Sequence, residues 1–220
     1  MKLAIFDLDN TLLAGDSDYL WGQFLIEKGL VDGNWYRQEN DRYYRQYSEG
    51  TLDILEFLAF ALQPLTRHDM ESLQAMHAEY MEQKIIPVMQ KSAFDLINKH
   101  KAANDYTLII TATNRFVTEP IAKRFGVDTL LATDPEIVNN RYTGKVAGIP
   151  CYREGKVTRL NHWMKESGRT LDGSWFYSDS HNDIPLLNLV DNPVAVDPDD
   201  QLTKHAQQNH WQIISLREKS

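Results

Sequence analysis

The chain has 220 residues, of which 42% are hydrophobic and 25% are charged, a composition typical of a folded globular protein. Its net charge of −8 argues against a nucleic-acid-binding protein, because that task requires a basic surface. The single cysteine, Cys151, excludes an intrachain disulfide, and the first apolar run is too short for a signal peptide. No apolar stretch reaches the roughly 18 residues that a membrane helix needs. We therefore expect a cytoplasmic protein that binds neither nucleic acid nor membrane.

Short apolar runs that end in polar residues recur along the chain. The first run, residues 3–6, stops at Asp7 and is typical of a buried parallel strand. Similar runs alternate with helix-like segments, which favours a parallel sheet covered on both faces by crossover helices. The predicted strands span 3–6, 106–110, 129–132, 174–177 and 193–196, and the predicted helices span 90–100, 115–125, 155–166 and 184–189. The predicted fold class is α/β, a Rossmann-like parallel sheet core covered by helices, with a small hairpin over 137–149.

The alternation stops between residues 16 and 87, where only helical signals occur. We predict that 16–87 form an inserted all-helical cap and that 1–15 and 88–220 form the α/β core. The inserted segment carries 13 acidic and 6 basic residues, a net charge of −7, and 11 of the 23 aromatic residues of the chain. The predicted cap is therefore acidic and aromatic.

Three capping signals define helices within the insertion. Ser17 or Asp18 is expected to cap a helix, Thr51 to cap a second, and residues 66–69 resemble a capping box that opens a third. Side-chain oxygens of these residue types satisfy the free N–H groups of a first helical turn. We therefore expect the cap helices to begin at these positions.

Polar side chains follow the predicted strands at the points where those strands end. In an open α/β sheet, ligands bind beyond the carboxyl ends of the strands, so these residues are expected to share one site. Four carboxylates in one site repel one another unless a cation lies among them, and an all-oxygen ligand set suits Mg²⁺ better than zinc. The candidate site residues are Asp7, Asp9, Thr111, Lys156, Asp179 and Asp183.

Four segments in this order resemble the motifs of the haloacid dehalogenase-like superfamily of aspartate-nucleophile phosphatases. They are FDLDNTLL at 6–13, LIITAT at 108–113, EGK at 154–156 and YSDSHND at 177–183. A cap between the first and second motifs is similar to subfamily IB, which includes phosphoserine and histidinol-phosphate phosphatases. Phosphoserine phosphatases usually have two glycines where this chain has Ala112 and Thr113. The resemblance implies a Mg²⁺-dependent phosphomonoester hydrolase that acts on a small phosphorylated metabolite.

The resemblance also implies roles for the aspartates. Asp7 is the expected nucleophile, which forms an aspartyl-phosphate and so divides one difficult displacement into two easier ones. Asp9 is the expected proton donor to the leaving alkoxide and afterwards the base that activates water. Asp7, Asp179 and the main-chain carbonyl of Asp9 are the expected Mg²⁺ ligands.

Further residues are expected to bind phosphate or to orient the groups that do. Lys156, the Thr111 hydroxyl and the amides near Ala112 and Thr113 are expected to contact phosphate oxygens. Asp183 is expected to orient Lys156 or metal-bound water, with Asn182 beside it.

The charge of the cap favours a leaving group that is neutral or cationic. The resemblance implies that Asp16 binds a substrate amine, because related amino-acid phosphate phosphatases place a carboxylate at this position. Aromatic rings of the cap offer faces for a flat or cationic group. A substrate carboxylate would need Arg37, Arg42 or Arg45. The aromatic candidates are Trp21, Trp35, Tyr36, Tyr43 and Tyr44. On this basis we expect histidinol phosphate to be preferred to phosphoserine.

Two alternatives are weighed against hydrolysis. A phosphotransferase of the same superfamily uses an acceptor other than water, and the sequence leaves that alternative open, as it does the choice between monomer and dimer. A signalling receiver domain also combines strand-end aspartate, threonine and lysine. Receivers are about half as long, and their phosphoacceptor follows a later strand, whereas Asp7 and Asp9 follow the first strand here. Receiver anatomy therefore does not fit this chain.

Overall fold

The structure, a computed structural model, describes residues 1–217. The strands are β1 (Leu3–Phe6), β2 (Tyr106–Asn114), β3 (Thr129–Thr133), β4 (Pro135–Val138), β5 (Arg141–Val146), β6 (Trp175–Ser178), β7 (Asn192–Val196) and β8 (Gln212–Ile214). The helices are α1 (Ser17–Glu27), α2 (Gly33–Glu49), α3 (Ile54–Leu62), α4 (Met70–Tyr80), α5 (Lys91–Ala102), α6 (Arg115–Phe125), α7 (Glu154–Ser167), α8 (Ile184–Leu187) and α9 (Asp200–Gln208). No helix in this part of the chain is both long and apolar enough to span a bilayer.

Six strands form a parallel sheet in the order β3-β2-β1-β6-β7-β8, so the predicted α/β class is confirmed. The five predicted strands are all present, and β4 and β5 form the separate antiparallel hairpin. The sequence did not indicate β8, because its three residues contain no apolar run of strand length. Strand β2 continues past Ile110 to Asn114, with a shift of register against β3.

The strands of the sheet centre are buried on both faces. In β1, Leu3 and Ile5 belong to one apolar cluster, and Ala4 and Phe6 belong to the other. All four side chains are fully buried, which is why β1 reads as an uninterrupted apolar run. Because β1 lies between β2 and β6, the loop that follows it starts at the middle of the carboxyl edge.

Helices dominate the segment between β1 and α5. Each of α1, α3 and α4 begins one residue after an aspartate whose carboxylate accepts backbone N–H groups, namely Asp16, Asp53 and Asp69. The predictions that Ser17 or Asp18 and Thr51 cap these helices are wrong. Carboxylates at these positions satisfy the free N–H groups and also interact favourably with the positive end of the helix dipole.

An aromatic cluster joins the inserted segment to the core. The Trp21 ring of α1 lies 5.1 Å from Tyr80 and 5.3 Å from Phe116 of α6, between ring centroids. His77 of α4 hydrogen bonds through Nε2 to the Val117 carbonyl at 2.9 Å. These aromatic residues belong to the same apolar cluster as one face of the sheet. Helices α1 and α4 are therefore part of a continuous core.

Candidate active site

Asp7 lies at the carboxyl edge of the sheet, where its backbone N–H donates to the Tyr177 carbonyl at 2.9 Å. Lys156 Nζ donates to Asp7 Oδ1 at 2.7 Å and to Asp183 Oδ2 at 2.8 Å. Ser178 Oγ also donates to Asp183 Oδ2, at 2.7 Å. Asp7 is 4% exposed and Lys156 is 2% exposed, so this network is almost closed to solvent.

A tight turn places Lys156 in the first turn of α7. At Gly155, a Cβ atom would lie 2.1 Å from the Pro150 carbonyl oxygen, so only glycine fits. Two residues earlier, Arg153 has a φ of 49° and a ψ of −121°, a backbone conformation that is strained for a side chain with a Cβ. The backbone of this turn is therefore strained, and the same turn directs the Lys156 side chain to Asp7.

Burial and neighbouring charges determine the ionisation of this network. Burial is the largest cause that raises the pKa of Asp7 to about 7, and the adjacent Lys156 opposes the rise. Burial also works against the charge of Lys156, but the carboxylates of Asp183 and Asp7 outweigh it and raise the pKa of the lysine. Lys156 therefore stays cationic. Among the described residues, it is the only lysine whose ammonium lies inside this carboxylate network.

Asp179 approaches Asp7 from the end of β6. Thr11 Oγ1 lies 2.8 Å from Asp179 Oδ1 and 3.3 Å from Asp7 Oδ2. Burial, followed by the charge of Asp7, raises the pKa of Asp179 well above its ordinary value. Two carboxylates that both lie within 3.3 Å of one hydroxyl are an arrangement that a cation would stabilise.

This donor set fits Mg²⁺. Within residues 1–217, no three metal-ligating side chains converge into a complete cage, whereas Asp7 and Asp179 share the Thr11 hydroxyl. Mg²⁺ commonly keeps several waters and binds through one or two carboxylates and a substrate phosphate. Asp7 and Asp179 are therefore the side chains suited to hold it.

The carboxylate of Asp9 points toward the end of β2. Its Oδ2 accepts hydrogen bonds from Thr113 Oγ1 at 2.8 Å and from Thr111 Oγ1 at 3.2 Å. Its Oδ1 accepts from the backbone N–H of Ser17 at 2.7 Å. The side chain is thus fixed between the core and α1, in a position suited to proton transfer.

A pocket extends from these aspartates toward the inserted helices. On the core side it is lined by Asp7, Asp9, Tyr152 and the segment Thr111–Thr113, which includes Ala112. On the other side, α2 contributes three tyrosine rings, and α1 contributes carboxylates. None of the described residues that line it is arginine or lysine. These lining residues of α1, its cap and α2 are Asp16, Asp18, Tyr43, Tyr44 and Tyr47.

Asp16 and Asp18 both reach this pocket. Asp16 Oδ1 accepts from the Tyr19 N–H at 2.8 Å, and Asp18 Oδ1 accepts from Asn114 Nδ2 at 3.2 Å. Burial raises the pKa of Asp18 to about 7, and the charge of Asp9 adds to the rise. Burial and Asp9 also raise the pKa of Asp16 well above its ordinary value. The pocket therefore has an excess of acidic side chains.

Other predicted substrate residues lie elsewhere. Trp21 is 2% exposed and packs in the aromatic cluster instead of lining the pocket, so its assignment to the substrate is wrong. Arg45 is exposed on α2 and does not line the pocket either. Trp35 and Tyr36 pack around Phe60 of α3. Helical spacing indicates which residues share a face, but it does not say which face meets the core.

Asn182 lies between the core and α2. Its Oδ1 accepts from Tyr152 OH at 3.1 Å and from Arg153 Nε at 2.9 Å. Its Nδ2 donates to the Tyr47 carbonyl at 3.2 Å. The structure thus places Asn182 beside Asp183, as the sequence indicates, but directs its side chain to the inserted helices.

One contact and one residue near the site were missed from the sequence. Thr113 was expected to contribute only its amide, but it lies two residues after Thr111, and alternate residues of a strand share a face, so the bond of its hydroxyl to Asp9 could have been inferred. Tyr47 lies four residues after Tyr43, and this spacing places both on one face of a helix. Both line the pocket.

Comparison with known proteins agrees with this geometry. Residues 4–188 match the haloacid dehalogenase-like hydrolase family. A histidinol-phosphatase from Neisseria meningitidis serogroup C (strain 8013) is 46% identical over 220 residues, which cover 98% of this chain and 99% of the relative. A protein of unknown function from Bordetella pertussis Tohama I has 44% identity and a TM-score of 0.92, with 98% and 99% of the two chains covered.

More distant solved structures share the architecture. A substrate-bound phosphoserine phosphatase superposes with a TM-score of 0.72 over 98% of this chain and 93% of that chain, at 17% identity. At that identity the likeness shows the fold alone. The family match spans all four sequence motifs as far as Asp183, and the 46% identical relative is covered almost completely. The chain therefore belongs to the haloacid dehalogenase-like hydrolase family.

Proposed function

We propose that this haloacid dehalogenase-like phosphatase hydrolyses histidinol phosphate through an aspartyl-phosphate intermediate. The observation that carries the choice of substrate is the lining of the pocket. Asp16, Asp18 and three tyrosines of α2 line it together with Asp7 and Asp9, and no arginine or lysine is among the described lining residues. Histidinol phosphate has an amine and an imidazole and no carboxylate. The name of the 46% identical relative supports the same choice.

Charge complementarity explains why such a substrate fits. An ammonium or imidazolium next to Asp16 and Asp18 favours their ionised forms, because an opposite charge lowers the pKa of a carboxyl. Tyr43 and Tyr44 line the same space, and Tyr44 is 43% exposed. Exposed aromatic rings attract cations and flat groups. A phosphoserine carboxylate would instead meet Asp16 and Asp18, and repulsion between the negative charges disfavours its binding.

The first chemical step falls to Asp7. Its Oδ2, the oxygen that is not bonded to Lys156, attacks phosphorus and displaces the alkoxide of the substrate. Lys156 and the Thr111 hydroxyl stabilise charge on the phosphoryl oxygens. Mg²⁺ held by Asp7 and Asp179, with the Asp9 main-chain carbonyl as a third ligand, would neutralise charge on the phosphate.

Proton transfer falls to Asp9. Its carboxylate is held by Ser17, Thr111 and Thr113, so it has little freedom to turn away from the leaving group. It donates a proton to the departing alkoxide and then accepts one from the water that hydrolyses the aspartyl-phosphate. Residues 1–15 and 88–220 thus carry the chemistry, and 16–87 carry the recognition of the leaving group.

The substrate assignment is tested by comparing kcat/KM for histidinol phosphate and phosphoserine on purified protein with Mg²⁺ at neutral pH. We expect at least about a tenfold preference for histidinol phosphate, the value of one charge-assisted hydrogen bond. Asp18→Asn is expected to reduce this preference, while Asp95→Asn, on the exposed side of α5, leaves it unchanged. A preference for phosphoserine, or no turnover of either compound, refutes the assignment.

We expect activity to disappear on exhaustive chelation and to return with Mg²⁺, whereas Ca²⁺ restores it poorly because its larger and more variable coordination shell misplaces the nucleophile. Mg²⁺ should also raise the Tm, because it binds the native state and relieves repulsion between Asp7 and Asp179. Thermal unfolding with and without Mg²⁺ measures this effect, and Asp179→Asn should abolish the rise. Full activity in excess chelator would contradict the metal requirement.

A further inference from the structure

Two residues outside the inserted segment donate hydrogen bonds to the C-terminal end of α2. Arg153 Nη2 donates to the Gly50 carbonyl at 2.6 Å, and Asn182 Nδ2 donates to the Tyr47 carbonyl at 3.2 Å. The two core residues are bonded to each other, because Arg153 Nε donates to Asn182 Oδ1 at 2.9 Å. We call these three hydrogen bonds the α2 clasp.

The α2 clasp has the features of a built contact. The last carbonyls of a helix have no partners within the helix and carry its negative dipole end, so a cationic donor is favourable there. Asn182 is 3% exposed and is further held by Ser180 Oγ at 3.2 Å. Gly50 ends the helix with a φ of 71°, and a Cβ there would lie 2.8 Å from Arg153 Nη2. Gly50 therefore meets two requirements at once: its backbone is left-handed, and it leaves room for the Arg153 guanidinium.

The strained backbone of Arg153 gives independent support. Its φ of 49° is unfavourable for an arginine and persists only where the surroundings determine it. Arg153 stands three residues before Lys156, so one turn directs a guanidinium to α2 and an ammonium to Asp7. The short segment from Arg153 to Lys156 therefore both positions the lysine that pairs with Asp7 and attaches α2 to the core.

The segment that the α2 clasp holds lines the substrate pocket. Tyr47, whose carbonyl accepts from Asn182, lines the same pocket as Asp7 and Asp9. Tyr43 and Tyr44 of the same helix also line the pocket. We propose that Arg153 is a positioning residue, which through the α2 clasp holds the tyrosines of α2 against the leaving group of the substrate. The proposal rests on the proposed function for its choice of substrate.

Arg153→Ala tests the proposal with two substrates. The KM for histidinol phosphate should rise about tenfold, as expected for loss of a hydrogen bond from a charged group. The kcat/KM for acetyl phosphate, whose leaving group is too small to fill the pocket, should fall clearly less than that for histidinol phosphate, because Gly155 and the bond from Lys156 to Asp7 are kept. Arg153→Lys keeps a cation for the Gly50 carbonyl but loses the donor to Asn182, so an intermediate KM is expected.

Amide hydrogen exchange of residues 43–51 supplies a readout that does not depend on turnover. Arg153→Ala should accelerate exchange there, because an unclasped helix end opens more often. The matched control is Arg124→Ala, which removes an exposed arginine of α6 that does not line the pocket. It should leave the KM unchanged and exchange near Asn182 unaltered, and thermal unfolding checks that each variant is folded.

The outcomes separate this proposal from the substrate assignment. Equal losses on both substrates, or unchanged exchange in folded Arg153→Ala or Arg153→Lys, overturn the positioning role. If the unsubstituted protein does not hydrolyse histidinol phosphate, the proposed substrate is wrong, and the exchange measurement still decides whether the α2 clasp holds the helix. Even if the substrate assignment fails, faster amide exchange confined to residues 43–51 supports the role of the α2 clasp.

Discussion

Asp7→Asn is expected to reduce turnover to below about one-thousandth of the unsubstituted rate, the scale on which loss of a nucleophile acts. The amide is a poor nucleophile, and it no longer neutralises Lys156. Folding should survive, because the amide is nearly the same size and Asp183 still pairs with Lys156 at 2.8 Å. Steady-state phosphate release, together with thermal unfolding, measures both effects.

The control for this variant is Asp95→Asn, which makes the same chemical change at an exposed ion pair with Lys91. Its turnover should match that of the unsubstituted protein, because exposed pairs contribute little. A folded Asp7→Asn variant that keeps a tenth of the activity would exclude covalent catalysis by this residue. Incubation with radioactive substrate followed by acid quenching should label the protein only when Asp7 is present.

Asp9→Asn is expected to lower kcat for histidinol phosphate by about 10²–10⁴-fold, the usual contribution of a positioned general acid. The fall should be smaller in the formation of the aspartyl-phosphate from an aryl phosphate, because a phenolate needs less protonation than an alkoxide. Rapid-quench measurement of that first step on both substrates tests this. Equal reduction for the two leaving groups would contradict proton donation by Asp9.

Asn retains the size of the side chain: its Oδ1 can still accept from the Ser17 N–H, and its Nδ2 can donate to the Thr113 hydroxyl in place of the bond that Asp9 accepts there. The variant therefore removes the proton and charge with little change in packing. Thr113→Val is a useful companion, since it deletes one bond to Asp9 and keeps the carboxylate. A much smaller loss in Thr113→Val would identify proton transfer, and not local structure, as the origin of the Asp9→Asn defect.

The sheet and its carboxyl edge were predictable because each depends on local sequence. A buried strand such as β1 shows as an apolar run, and the residue that follows it must lie at the strand end. Asp7 and Asp179 meet for this reason: β1 and β6 are neighbours in the sheet. Strand β8, with three residues at the sheet edge, has too little sequence to show a pattern.

The cap residues were harder to place, because their roles depend on how helices pack together. Trp21 looked like a candidate for stacking on substrate, yet its ring completes an apolar cluster with Phe116. Tyr47 is no more distinctive in sequence than Tyr36, but α2 turns one toward the aspartates and the other against Phe60. The orientation of a helix about its axis decided each case.

The aromatic cluster of α1 and α4 with α6 has a consequence for exchanging this insertion between related enzymes. Because Trp21 and Tyr80 fill space against Phe116 and Val117, cutting at the ends of the insertion would leave a large apolar face on the remaining protein. Helix α2 instead meets the core at its end through donors on Arg153 and Asn182. A graft that replaces α2 alone and keeps its two neighbours would therefore alter leaving-group preference while preserving a closed hydrophobic interior.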